Sequence, residues 1–436
     1  MKAFFEDRHF REVVKGASGA FIYKFLGMVA GYAFTFVVGR YLGAGSLGVF
    51  TLFLSVLSIA GMIGKYGFDA SIARYVANLM QQRNTESIRK IYKKSMRFSL
   101  LLTLAISVIM MVCARWMAEE VFHVSELTWY YRILPAGLFA FVIVAINGGF
   151  LRGLKKAAQH SFFQNFARFL FPMLYIFPLI YLVSAVGAPI YAYVLGLLTA
   201  ATISTRMVLR HLRYQKSELP GTAKTEDPPF REVVGVSSAL LLTTSFTFLL
   251  WWTDSIMLGI FKTETDVGVY NAALKISNIV SITLVAVTSI TGPKFSEMFY
   301  SNDRLQLKRF MWKVSGLSFF TSLPAAIIIF LVPGYLLGWV GDDFVHGTTP
   351  LIILTINQLV HALAGVNGLL LEMTNQEKVA RNILFVSVVL NVVLNYIWIP
   401  EYGITGAALA TTVSMSSRNV ISVLYVNQFF LRSDRR

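Results

Sequence analysis

Long apolar runs dominate the chain, without the period-two alternation of a half-buried strand, and they predict helices long enough to cross a bilayer. Twelve fit, at roughly 18–39, 46–64, 95–114, 133–150, 162–183, 186–205, 236–259, 268–290, 314–334, 351–371, 382–399 and 403–426. After the second, Asp69 can cap a segment in which Ile72, Tyr75, Val76, Leu79 and Met80 share one face, which reads as an amphipathic helix on the membrane surface. The segment to Lys15 and the stretch Pro229 to Glu232 read as short interfacial helices entering a bundle. Only helices or closed barrels satisfy their backbone in lipid, so the expected fold class is an all-α integral membrane protein.

The pattern repeats. FREVV at Phe10 to Val14 returns at Phe230 to Val234, and the same offset matches Ser18 with Ser238 and Gly39 with Gly259. It also aligns Leu47, Gly48, Val49 and Phe50 with Val267, Gly268, Val269 and Tyr270. Ile133, Leu134, Asn147, Gly148 and Leu151 meet Ile353, Leu354, Asn367, Gly368 and Leu371. Two copies of one unit follow: a six-helix bundle over 1–214, a Pro- and Gly-bearing linker over 215–229, and a second bundle over 230–436. Six is an even number, so the copies share one orientation, related by an axis along the membrane normal.

Composition agrees: 56% of the 436 residues are hydrophobic and 14% charged, too little polar surface for a soluble body. A net charge of +16 would suggest nucleic acid in a soluble protein, but its distribution does not. Of the 39 Lys and Arg, only Arg40, Arg115, Arg132 and Lys262 fall in outer loops, while Lys24, Arg97, Arg168, Lys275 and Arg418 fall within helices. The rest lie on one side, which by the positive-inside rule is the cytoplasm and holds both termini. Contact with anionic lipid explains the basic loops; nucleic acid is not an expected partner. The first apolar run is too long for a cleavable signal and lacks a small-residue cleavage site. Cys113 is the single cysteine, and the six histidines show no ligand spacing, so no metal is expected. Outer loops are short, with Trp116, Trp129, Tyr130, Tyr131 and Trp339 as interfacial anchors.

A charge inside a span costs at least about 2.5–3.5 kcal/mol, so each normally faces a partner or a wet cavity. Asp254 continues a stripe of Thr244, Thr247 and Trp251, and Lys275 is flanked by Asn271 and Asn278. Both sit roughly 8–10 Å below the outer surface, where they form either a structural ion pair or part of a transport site. Lys24 shares a face with Ala20, Gly27 and Gly31, which leaves room for another helix or for a cavity. Arg168 aligns with Gln164, Pro172 and Tyr175, and Arg418 with Thr411 and Ser414. For these three cations the plain alternative is snorkelling to the inner interface. Asn357 and His361 read first as interhelical hydrogen bonding. A lining mostly of cations prefers an anion, and Arg suits phosphate through its forked donors.

RYLGAGSLGVF (Arg40 to Phe50) and GFDASIARYVA (Gly67 to Ala77) resemble the first hairpin of the polysaccharide transporter, or Wzx-type, lipid-linked oligosaccharide flippases. WTDSIMLGIF, VGVYNAALKI and GPKFSEM (Trp252 to Met298) resemble that family's helices seven and eight, and YGITGAALAT (Tyr402 to Thr411) its last. The superfamily also holds the MATE exporters. The resemblance implies two six-helix bundles in a V around a central cationic cavity, moving an isoprenoid diphosphate that carries an oligosaccharide. Lys24, Asp254 and Lys275 sit where such flippases place charged lumen residues, whereas Arg168 and Arg418 rest on spacing alone. The first-copy counterparts of Asp254 and Lys275 are Phe34 and Ser55, so the copies are chemically unequal.

The expected function is therefore export of a lipid-linked surface-glycan unit, such as O-antigen for lipopolysaccharide, across the cytoplasmic membrane, without catalysis or cofactor. Coupling falls to H+, Na+ or the membrane potential, and the partners are the glycolipid, membrane lipids and other glycan-assembly membrane proteins. A MATE-like multidrug antiporter is the alternative, though its cationic substrates call for acidic lining. A glycan polymerase or ligase is another, though the outer acids are scattered over short loops.

Overall fold

The computed structural model describes residues 8–218, 228–301, 304–364 and 366–433, and among these the secondary structure is helices joined by short turns, with no strand. α1 (Arg8–Lys65) breaks at Gly43, whose φ of 84° lies in the left-handed region, so the expected hairpin is two helical arms joined directly at a glycine. The corresponding position in the second copy is Thr263, which instead starts a new helix with a capping box to Asp266. FREVV forms no separate interfacial helix in either copy. The backbone runs helically from Arg8 and from Phe230 straight into the spans, because no proline interrupts the ladder between them.

α2 (Phe68–Gln81) starts at Gly67, φ 75°, with no side-chain cap. Asp69 does not cap it; the carboxylate reaches back across the Tyr66–Gly67 break to Lys65 Nζ at the end of α1, at 2.6 Å. Ile72, Val76 and Leu79 are buried as expected, whereas Tyr75 and Met80 are only partly so. The helix is held by protein rather than resting free on lipid. A Cβ on Gly149 would strike the Asp69 carbonyl and one on Gly153 would meet Val76, so these glycines admit α2 against the fourth span.

α3 (Thr85–Trp116) is capped by Asn84 Oδ1, which accepts from Ser87 N–H at 3.0 Å. Its buried face carries Ser95, Ser99, Thr103 and Ser107, small enough for close approach of neighbouring helices. α4 (Leu127–Gly153), α5 (Ala157–Leu182, with a wide π turn at Phe162–Phe166) and α6 (Gly187–Glu218) complete the first copy. The second comprises α7 (Phe230–Phe261), α8 (Glu264–Asn278), a 3-10 turn at Ile279–Ser281, α9 (Ile282–Tyr300) and α10 (Arg304–Leu331). α11 (Pro333–Val340), α12 (Thr348–Ala364), α13 (Val366–Met373) and α14 (Glu377–Ser433) follow, the last folded over at Gly403, φ 57°.

Among the described residues nine helical stretches are long and apolar enough to cross a membrane. Two of them, Gly19–Gln81 and Glu377–Gln428, span 63 and 52 residues and contain the Gly43 and Gly403 breaks. The chain is a multi-pass membrane protein.

Packing divides it into two compact units: residues up to Val38 with Phe53–Phe248, and Gly39–Leu52 with residues from Leu249 on. Relative to a cut at 215–229, of which 219–227 lie outside the described residues, each unit takes a segment from the other copy. In unit one the start of α7 is keyed to α2. Phe230 stacks on Phe68 at 6.1 Å, Ser71 and Ser237 hydroxyls meet at 2.6 Å, and Tyr75 OH donates to Glu232 at 2.9 Å. In unit two Gly48 and Gly268, equivalent positions of the two copies, meet backbone to backbone.

Candidate functional site

In unit two, Asp254 near the end of α7 is 5% exposed and sits in a ring of neutral donors. Oδ2 accepts from Tyr270 OH of α8 at 2.7 Å and from the Thr411 hydroxyl of α14. Oδ1 accepts from Nδ2 of Asn395 at 2.7 Å and of Asn391 at 3.2 Å. Asn391 Nδ2 also reaches Thr411 and Ser414 hydroxyl oxygens at 3.3 and 3.4 Å. α7, α8 and both arms of α14, before and after Gly403, thus converge on one carboxylate, whose hydrogen-bonding partners are dipoles rather than a counter-ion. Asn391 Oδ1 and Asn395 Oδ1 are buried and accept no hydrogen bond. As they stand the two amides present N–H to the carboxylate; turned over, they would add two carbonyl oxygens to the carboxylate and the tyrosine and threonine hydroxyls, a hard donor set that suits a small alkali or alkaline-earth cation.

The sequence reading missed five of these residues or gave them another role. Thr411 and Ser414 serve this ring rather than lining a stripe toward Arg418. Asn391 and Asn395, one turn apart within the apolar run NVVLN, were the available signal. Tyr270 was visible only as the repeat partner of Phe50. Trp251, on the expected Asp254 stripe, is 58% exposed and turned away from the ring.

The neighbours of Lys275 are spent on helix contacts. Asn271 Nδ2 donates to Ser255 Oγ at 3.0 Å and to the Val267 carbonyl at 2.9 Å, and Asn278 Oδ1 accepts from Gln358 Nε2 at 2.5 Å. Lys275 itself is half-buried between them on α8. Arg418 on α14 is half-buried and lies near Glu372 and His361. Asn357, as read, bridges helices: its Nδ2 contacts Met415 Sδ at 3.4 Å.

In unit one, Arg168 follows the π turn of α5. Its Nε donates to Tyr193 OH of α6 at 2.5 Å, and its guanidinium lies 5.3 Å above the Phe141 ring. The residues aligned with it are engaged elsewhere: Gln164 donates to the Val144 carbonyl, and Tyr175 pairs with Thr199. Lys24 is exposed on α1. The small residues beside it make room for a helix, not a cavity, since a Cβ on Gly27 would meet the Asn165 backbone and one on Gly31 the Phe169 ring. Phe34 and Ser55, the first-copy counterparts of Asp254 and Lys275, are fully buried. Lys24 and Arg168 therefore belong to unit one, and Asp254, Asn271, Lys275, Asn278 and Arg418 to unit two.

One further ion pair escaped the sequence reading. Lys65, 7% exposed, binds Asp69 and lies 5.6 Å from the Phe248 ring centre. Lys65→Met should destabilise the protein by about 1–3 kcal/mol, below the range for a fully buried pair because Asp69 keeps 26% exposure. The double variant Lys65→Met/Asp69→Leu should recover most of the loss. Thermal unfolding in detergent of the single and double variants measures the coupling, and additive losses would refute it.

The model of the family described as "Polysaccharide biosynthesis protein" matches residues 13–299, about two thirds of the chain. The chain belongs to this family. It is 31% identical over 179 residues to the "Probable low-salt glycan biosynthesis flippase Agl15" of Haloferax volcanii, a match covering 41% of this chain and 38% of that protein. The chain thus spans well under half the length of that curated relative. Its fold is shared with an inward-facing multidrug resistance MATE family transporter of the MOP superfamily, at TM-score 0.76, 15% identity, and coverage of 93% and 95%. It is shared also with the lipid II flippase MurJ in its inward closed conformation, at TM-score 0.73, 13% identity, and coverage of 96% and 89%.

Proposed function

We propose that this member of the polysaccharide biosynthesis family is a flippase that carries an isoprenoid-diphosphate-linked oligosaccharide from the cytoplasmic to the outer leaflet, making and breaking no bonds. The single observation that carries this reading is the set of cations Lys24, Arg168, Lys275 and Arg418 within spans of a chain of this family. Positive side chains in apolar helices of each unit suit a polyanionic substrate, and Arg168, which Tyr193 holds through Nε, carries the forked guanidinium that matches phosphate. The substrate enters from the cytoplasmic side, where both termini and the basic loops lie, and its tail stays in lipid while the headgroup crosses. With the interior negative, each phosphate charge moved outward gains about 2.3 kcal/mol per 100 mV.

Asp254 couples this movement to a cation. Its oxygen ring accepts Na+ if Asn391 and Asn395 turn their idle carbonyl oxygens inward, and a proton on Asp254 is the competing form. The reading is tested by complementation of a flippase-deficient strain that the wild-type chain restores. Lys24→Ala and Lys275→Ala should each cut surface glycan on the order of tenfold or more at equal protein level, with lipid-linked intermediate accumulating inside. Normal export by both variants would reject the cationic path, and glycan accumulating outside as single units would point to a polymerase.

A further inference from the structure

Outside the residues used so far, one side of unit one carries an open groove of about 430 Å³ between α3 and α4. Lys93 and Arg97 line one end, Leu100, Leu101 and Leu104 the wall, and Phe139 of α4 the far side. The floor is firm, because Tyr92 is 6% exposed and its OH donates to Asn147 Oδ1 at 2.8 Å. Both cations are exposed, as are Leu101 and Leu104, at 59% and 51%.

The stripe has polarity and length. Lys93, Arg97, Leu101 and Leu104 follow one another at spacings of four and three on one helix face. From Lys93 to Leu104 the helix rises about 16 Å, close to one leaflet's share of a roughly 30 Å hydrocarbon core. Positive charge therefore stands at one end of the stripe, and the leucines Leu100 to Leu104 extend the apolar wall about 6 Å beyond it. The second copy lacks the device: Lys313 matches Lys93, but Leu317, Thr321 and Pro324 stand where Arg97, Leu101 and Leu104 would be.

We propose that this groove is a binding site for an anionic phospholipid of the leaflet that meets the start of α3, its phosphate on Lys93 and Arg97 and one acyl chain along Leu101 and Leu104. Charge complementarity picks the headgroup, and the exposed leucines beyond the cations pick the upper part of an acyl chain. The site is independent of the transported substrate and of coupling at Asp254.

The test uses the full chain with Cys113→Ser and a fluorophore on Ala105→Cys, an exposed position beside the groove, in nanodiscs containing brominated phosphatidylglycerol or brominated phosphatidylcholine. Quenching should favour phosphatidylglycerol on the order of tenfold, as two interfacial cations imply. The preference should vanish in Lys93→Gln/Arg97→Gln, persist in Lys313→Gln, and weaken in Leu101→Trp, which fills the trough. No preference in the parent, or its survival in the double glutamine variant, would overturn the proposal. So would an unchanged preference in Leu101→Trp, which would mean surface attraction alone. Displacement of phosphatidylglycerol by lower concentrations of an isoprenyl phosphate would also overturn it and give the groove to the substrate tail.

Discussion

Gly48→Ala is expected to destabilise the protein, although alanine is ordinarily worth up to about 1 kcal/mol over glycine within a helix. A Cβ at Gly48 lands on the Glu264 carbonyl and within 3.1 Å of Gly268 N, and one at Gly268 lands on the Ala44 carbonyl. Those neighbours are backbone, which cannot swing aside as a side-chain tip can. Separating the helices costs about 1–3 kcal/mol, more than the helix gain, and Gly48→Val costs more again. Gly316→Ala and Gly368→Ala are the controls, since nothing lies within 4 Å of a Cβ at either, so both should be neutral or stabilising. Unfolding midpoints of the four variants in detergent, with surface-glycan export alongside, decide the matter. A Gly48→Ala protein as stable as Gly316→Ala would show that the crossing is loose.

The same glycine marks how far the sequence could be read. The match of Leu47–Phe50 with Val267–Tyr270 was visible, and it aligned Gly48 with Gly268, but the offset could not say that the two touch. Apolar periodicity made the long membrane helices legible because lipid imposes that pattern on each helix separately. It failed at features that depend on which helices are neighbours. FREVV looked like an interfacial segment because it mixes charge with valine, yet nothing in it stops the helix. Asp69 looked like a cap until Lys65, at the end of α1, claimed it. Asp254 stood out as a lone acid, but its ring is supplied by neutral residues on α8 and α14, more than 130 positions away in the case of Asn391 and Asn395. Neutral polar side chains carry little signal on their own, and only convergence makes them a site.

That convergence gives the second large effect. Asp254→Asn should reduce glycan export by at least tenfold while leaving folded protein within about twofold of wild type, since it removes a buried charge but retains one acceptor oxygen. The new amide N–H2 cannot accept, so two of the four donors lose their partner, a cost of about 1–3 kcal/mol for each that stays unsatisfied. Asp254→Leu strands all four and should compromise folding itself, which makes asparagine the informative change. Sodium provides a readout separate from transport. A cation that binds the folded ring stabilises it by about 2.7 kcal/mol at a hundredfold excess over its dissociation constant. Wild type should therefore unfold at higher temperature in NaCl than in choline chloride, and Asp254→Asn should show no difference. Asn395→Asp in the Asp254→Asn background returns a carboxylate to the same ring from the other helix, and it should restore part of the sodium response. If the single variant keeps the full sodium shift, the ion binds elsewhere. If wild type shows no shift but export falls as external pH rises, the ring carries a proton instead.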